Sequence, residues 1–402
     1  MKTTYDKDDF TALLTLLEKV PDPRSARGVR YRLSHLLLIC VYAVLSGYTD
    51  ATEISFYAEI TFEYFRELIG IKAIPSHDTF SRILRLIDFN ALSGTLGGWL
   101  RENFPEQCLK YQGKKVLHVD GKAVRAAAEK SNGEPPVYHL NAMYEGESVG
   151  VEIYRVGSKE NEISCLPEYL KRFCLKDTIV TMDAIGCNRT VIEAIQRGGG
   201  NYVLPVKENQ KRLHGVILGE IERLEKHGED EKGEWEHLDC TESLIKKHGR
   251  IEKTTMHLIK NTAFIYEKLG TESFFGTVAR IGVMDKTVET KKNGEYEKSK
   301  SRSLFITDLE EMEVETMLQI RAAHWNIEMQ HWILDIQLRE DRQTARRNDA
   351  VTNGAILRRF CMAMKKKDKT LSDKPLNRFL MSNAHNPLRV EEFLFGTVAG
   401  EE

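Results

Sequence analysis

The chain has 402 residues, enough for a large core and two or three domains. Its 41% hydrophobic and 29% charged residues are ordinary for a soluble globular protein, and a net charge of −2 excludes a generally basic nucleic-acid binder, so any basic surface must be local. Seven cysteines, odd in number and without a C-x-x-C pair, argue against a disulfide framework or a cysteine zinc site, and for reduced thiols in a cytoplasm.

Residues 8 to about 105 read as a small helical domain. "DDFTALLTLLEKV" has helical spacing and is broken by the two prolines and glycine of "PDPRSARG". The apolar "LSHLLLICVYAVLSG" from Leu33 is too short to span a bilayer and starts too late, behind charges, for a signal peptide. It reads as a buried helix. "DATEISFYAEI" follows with Asp50 as its N-cap. "PSHDTFSRILRLID" then sets Phe80, Ile83, Leu84 and Ile87 on one helical face, after a start signal at Pro75 and Ser76.

Periodicity changes near residue 114. "KKVLHVDGKAV", "VYHLNAMYEG" and "SVGVEIYRV" read as three strands in a meander. "ENEISCLPEYLKRF" reads as helix, "TIVTMD" as strand, "NRTVIEAIQRG" as helix and "NYVLPVK" as strand. The order β-β-β-α-β-α-β makes a mixed sheet with helices on its faces, and it is the order used by ribonuclease-H-like domains. Residues 208–302 read as a largely β insertion. In it a helix and an acidic stretch precede strand-like runs, and a lysine-rich loop, "KTVETKKNGEYEKSKSR", ends it. "SLFITDL" is a final strand before helices from about Met312. The catalytic domain is thus expected over 110–370, with a tail over 371–402.

Asp183 closes the apolar run "TIVTMD". Ligands of open α/β sheets gather beyond the carboxyl ends of strands, although Asp183 also suits the N-cap of the next helix. Asp120 lies on the first predicted strand, on the same face as His118; an Asp-Gly turn is the other reading. In "RAAHWNIEMQHWILDIQLRED", helical spacing puts Trp325, Met329, Trp332 and Ile336 on one stripe, which reads as the core face. His324, Glu328, His331 and Asp335 form the polar stripe beside it, either a solvated face or a groove wall. No cysteine or third histidine is spaced to complete a zinc site there. Acids on the first strand, the fourth strand and this later helix would form a carboxylate cluster suited to Mg²⁺ or Mn²⁺. Two such ions about 4 Å apart activate a water or a 3′-hydroxyl and stabilise the leaving oxygen of a phosphodiester.

Seven segments in order, "DPRSARGVRYRLSHLLLICVYAVLSG", "PSHDTFSRIL", "HVDGKAVR", "KENEI", "TMDA", "GGNYVLPVKENQ" and "HWNIEMQHWILD…REDRQTARR", resemble the H-repeat-associated branch of insertion-sequence DDE transposases. The resemblance covers about Asp22 to Lys366. It implies a ribonuclease-H-like core and a helical N-terminal associated domain. It also implies Mg²⁺-dependent cleavage and joining of DNA ends, and at least a dimer on DNA. By position it makes Asp120, Asp183 and Glu328 the catalytic, metal-holding triad. The chain departs from the family pattern at Asn188, Val124 and Ala126, and at His324, where an arginine is usual. A catalytically inactive DNA-binding relic, or a nuclease that cuts without joining, are the alternatives.

Local basic charge gives the expected DNA surface. Arg339 to Lys369 holds ten Lys or Arg against four acids, and Lys19 to Arg32 holds five against one. Such patches supply salt-dependent phosphate contacts, unless they are merely solvated helix faces. The expected contacts are Arg24, Arg27, Arg30, Arg339, Arg342, Arg346 and Arg347. Lys207, and His118 and Lys122 flanking Asp120, are candidates nearer the site.

Overall fold

A computed structural model describes residues 7–27, 29–104, 107–125, 136–157, 160–227, 238–247, 250–260, 277–292, 295–343, 345 and 348–395. Six helices come first: α1 (Lys7–Glu18), α2 (Leu33–Leu45), α3 (Ala51–Ile60), α4 (Phe62–Ile69), α5 (His77–Leu86) and α6 (Phe89–Asn103). The mixed region follows as β1 (Lys110–Tyr111), β2 (Lys114–Val124), β3 (Val137–Tyr144), β4 (Tyr154–Val156), α7 (Glu162–Leu170), β5 (Thr178–Thr181), α8 (Arg189–Arg197) and β6 (Asn201–Val206). After α9 (Lys211–His227) come four long strands, β7 (Leu238–Lys247), β8 (Arg250–Lys260), β9 (Arg280–Lys292) and β10 (Glu295–Thr307). The chain closes with α10 (Val314–Ala323), α11 (Trp325–Ile336), α12 (Asn348–Lys367), α13 (Leu376–Asn383) and α14 (Pro387–Phe395).

The chain divides into two compact units, one of Met1–Gln107, Gly121–Lys159 and Ile327–Glu402, the other of Cys108–Asp120 and Glu160–Asn326. Strand β2 and helix α11 each contribute residues to both. In the first unit α2 is apolar all round, and of its residues only His35 escapes full burial. A helix of that kind belongs in the middle of a core. Asp50 caps α3 in a reciprocal box with Glu53. Phe80, Ile83, Leu84 and Ile87 are buried, as their spacing requires. Residues of α12 join the same core, and so do Leu376, Phe379, Val390, Leu394 and Phe395 from the segment expected as a tail.

The expected strand "SVGVEIYRV" is reduced to β4, which pairs β3 antiparallel. The reason is competition for its apolar residues: Val149, Val151 and Ile153 are buried in the helical core. Beneath α12 runs a charged network. Arg359 donates to the buried carboxylate of Glu340 at 2.6 Å and to Asn141 at 2.8 Å, while Lys122 lies 3.5 Å from Glu340 and 2.5 Å from Asp335.

The second unit carries the mixed sheet in the order β2–β5–β6–β10–β9–β8–β7. Strands β2, β5 and β6 are parallel, joined through helices, and β10 onward is antiparallel. Met256, Leu258 and Phe305 pack under Met317 and Ile320 of α10.

The run expected as a lysine-rich loop is the paired β9 and β10, apart from residues 293–294 outside the described set. Its charges hid a period of two. Cross-strand pairs Lys298–Glu289 at 3.0 Å and Arg302–Asp285 at 2.7 Å hold the register. Strand β7 was not foreseen, because the polar and charged residues of "LDCTESLIKK" leave it no clear apolar alternation.

Candidate active site

Register brings two of the expected acids together. His118 of β2 pairs in register with Thr181 of β5, and Thr181 with Val203 of β6. Two residues beyond this pair, Asp120 lies further along β2 and Asp183 lies just past the end of β5, in extended backbone. The pleat turns both to the same face as His118 and Thr181. The two acids are close enough for the charge of Asp120 to act on Asp183.

Their electrostatics agree. Burial pushes the Asp183 carboxyl above the ordinary range, and the charge of Asp120 pushes it the same way. The Ile185 and Gly186 N–H groups and the Lys207 ammonium act in the opposite direction. Asp183 therefore does also cap, accepting from the Ile185 N–H at 2.9 Å over a 3-10 turn, while Asn188 caps α8. The capping and ligand readings are not exclusive. Asp183 is desolvated enough to disfavour its charge and is repelled by Asp120, and a hard divalent cation would relieve both effects.

Below the pair lies a buried polar chain. His118 Nδ1 meets Thr181 Oγ1 at 2.6 Å, and the same hydroxyl meets His324 Nδ1 at 2.8 Å. The two imidazole rings are 5.7 Å apart. His118 is thus sealed inside the second unit rather than placed to touch phosphate. Thr181 and His324 were not anticipated in this role. The signal was present, since Thr181 sits two residues before Asp183 and shares its face.

Glu328 projects from α11 and is exposed. The stripe expected to be core is not: Trp325, Met329, Trp332 and Ile336 are 61, 47, 53 and 56% exposed, while Ile327, His331 and Leu334 are buried. Both sets recur at helical spacing, so periodicity alone could not choose between them. Among the described residues, no group of three His, Cys, Asp or Glu side chains is gathered as a metal ion would need.

The expected DNA contacts divide. Lys207 is exposed and acts on Asp183, and Arg27, Arg30 and Arg342 are also exposed. Lys122 is buried among Asp335, Glu340 and Asp341, so its charge is satisfied by the protein. Arg24 is held by Asp22 and the Tyr31 carbonyl, and Arg339 by both oxygens of Glu53 and the Gly47 carbonyl. Arg346 and Arg347 lie outside the described residues. One basic feature was missed: on β10, Tyr296, Lys298, Lys300 and Arg302 alternate onto the sheet face opposite Phe305. The spelling "YEKSKSR" carried that signal.

None of the seven cysteines forms a disulfide, and among the described residues no helix is long and apolar enough to cross a membrane. Residues 111–364 match the Transposase DDE domain, and residues 14–100 match the DDE_Tnp_1-associated region that accompanies it. The chain is 26% identical to the "H repeat-associated putative transposase YhhI" of Escherichia coli K12, over 90% of its own length and 92% of that protein's. It is 30% identical to the "H repeat-associated putative transposase YbfD" of the same strain, over 62% of its own length and 94% of that protein's.

Proposed function

The chain belongs to the Transposase DDE domain family, and from that membership we propose an enzyme that cuts DNA at the ends of a mobile element and joins them to target DNA, using divalent cations. The observation that carries the reading is the pair Asp120 and Asp183, whose charges oppose each other at the carboxyl edge of a parallel sheet. Asp120, Asp183 and Glu328 would hold Mg²⁺ or Mn²⁺. When bound, such ions polarise a phosphodiester and ease deprotonation of an attacking hydroxyl.

The protein's own residues supply position. The chain from His118 through Thr181 to His324 fixes two neighbouring strands and the end of α10, so the acids stand on a rigid base. Lys207, close enough to act on Asp183, offers its ammonium to a phosphate beside the acids. Repelling charges set on a rigid base before substrate arrives are an arrangement suited to positioning a reaction that needs no covalent protein intermediate.

Incubating the protein with Mg²⁺, a labelled fragment carrying the DNA that flanks its reading frame, and a target plasmid tests the reading. Joined products support it, nicks alone indicate a nuclease, and binding without cleavage indicates a relic. Millimolar Mn²⁺ is also expected to raise the melting temperature of the parent protein, and much less that of Asp120→Asn, by mass action on the folded state. Equal shifts in both would remove Asp120 from the metal site.

The basic ridge of β10 extends the DNA surface. Lys298→Glu with Lys300→Glu is expected to weaken binding to a duplex about tenfold in anisotropy titrations, with a shallower salt dependence. An unchanged affinity would mean that the ridge is only a solvated, ion-paired strand face.

A further inference from the structure

The first unit holds one helix by both ends and leaves its outer half exposed. In α5, Phe80, Ile83 and Leu84 are buried, whereas His77, Asp78, Ser81, Arg82, Arg85 and Leu86 are exposed. At 3.6 residues per turn those six occupy one continuous half of the helix. Asp78 and Arg85 lie at its centre, with Ser81 and Arg82 beside them.

Three other segments fix α5 in place. Asn353 of α12 is fully buried and donates to the Leu84 and Ile87 carbonyls at 2.8 and 3.0 Å, catching the last turn. At the other end, the Ser55 hydroxyl of α3 donates to the Pro75 carbonyl at 3.0 Å. The Tyr31 hydroxyl donates to the Ile74 carbonyl at 3.3 Å, and the Tyr31 carbonyl in turn accepts from Arg24 at 2.8 Å. Two exposed cations therefore stand at the entry to α5: Arg30, next to Tyr31, and Lys72, two residues before Ile74.

Charge, shape and residue type on this face all suit duplex DNA. It carries two arginines, with Arg30 and Lys72 at its entry, against one acid, Asp78, which lies 3.3 Å from His77 Nε2. A helix with its side chains is about 10–12 Å across, and the major groove of B-DNA is about 12 Å wide. There an arginine meets guanine O6 and N7 with two bonds at once.

We propose that α5 lies in the major groove and reads base edges with Arg82 and Arg85, while Arg30 and Lys72 grip phosphates beside it. The inference rests on the transposase reading for its ligand. It assigns the choice of sequence to the helical unit rather than to the residues around Asp120 and Asp183. Anchoring at both ends serves that task, because reading side chains must be held to within about 0.5 Å.

The test uses the full chain in EDTA, so that no cleavage intervenes, and anisotropy of two fluorescein-labelled duplexes. One carries the DNA that flanks the reading frame, and the other has the same bases in scrambled order. The wild type is expected to prefer the first about a thousandfold. Arg82→Lys and Arg85→Lys keep the charge and lose the two-bond geometry. Each should cut the preference about tenfold, with binding to the scrambled duplex unchanged. Lys72→Ala should instead weaken both duplexes alike, with a log–log salt slope shallower by about one. Full preference in the Arg82→Lys, Arg85→Lys double variant would overturn the proposal. So would an equal loss on both duplexes in that variant, which would make the two arginines phosphate contacts only, or a wild type without preference. None of these results touches the transposase reading, which stands or falls on joined products.

Discussion

Asp183→Asn is expected to lower the cleavage rate by about a thousandfold or more, and to leave a protein that melts later than the wild type. The two halves of that result come from one cause. Burial and the neighbouring charge of Asp120 hold the Asp183 carboxyl above its ordinary range. A carboxyl raised in the folded state contributes stability below its unfolded pKa and loses it as pH rises through the folded value. At neutral pH, therefore, the ionised side chain works against the fold. Asparagine removes the repulsion and keeps an oxygen for the Ile185 N–H that Asp183 now caps. Because Asp183 keeps solvent access, the gain is modest, about 2 °C in melting temperature. The difference should shrink at acid pH, where the wild-type carboxyl is protonated. DNA affinity should hold or rise, since one negative charge leaves the site. Wild-type turnover in the variant would end the ligand assignment, and an earlier melt would end the electrostatic account.

Much of this was legible in the sequence, and the misses share a physical origin. Helices α1, α2, α3 and α5 and the alternation from β2 to β6 follow from caps, breakers and apolar period, whereas α4 and α6 were not singled out. Asp120 and Asp183 could be placed on strands, and their strands' order made a meeting plausible. What the sequence could not convey was which of two competing patterns tertiary packing selects. On α11 two stripes share helical spacing, and burial of Ile327 and Leu334 left the tryptophans outside. In "KTVETKKNGEYEKSKSR" charge density masked an alternation that cross-strand ion pairs make stable. Lys122 has the same chemistry as Lys207, but only the fold shows three carboxylates around the first.

Glu340→Ala is expected to destabilise the first unit by about 3–5 kcal/mol, the cost of leaving a buried cation unpaired. Glu340 is fully buried, with Arg359 Nη1 at 2.6 Å and Lys122 Nζ at 3.5 Å. Burial alone would raise its pKa, but the charges of Arg359, Lys122 and Arg358 outweigh it and hold the carboxyl down at about 2. The sign is thus opposite to that of Asp183. A depressed carboxyl contributes its stability above the unfolded pKa and loses it as pH falls through the folded one. The gap in unfolding free energy between wild type and Glu340→Gln should be full at neutral pH and close as pH falls from the ordinary 4.5 toward about 2. Replacing both partners separates the pair's worth from the penalty of breaking it. Glu340→Leu with Arg359→Met should recover much of the loss, because apolar side chains of similar volume often replace a buried ion pair at little cost. Recovery will be incomplete, since Lys122 and Asn141 lose partners as well. Denaturant titration of the two single variants and the double decides it. A single variant costing under about 1 kcal/mol would mean that water reaches Glu340 and that the network is looser than its distances.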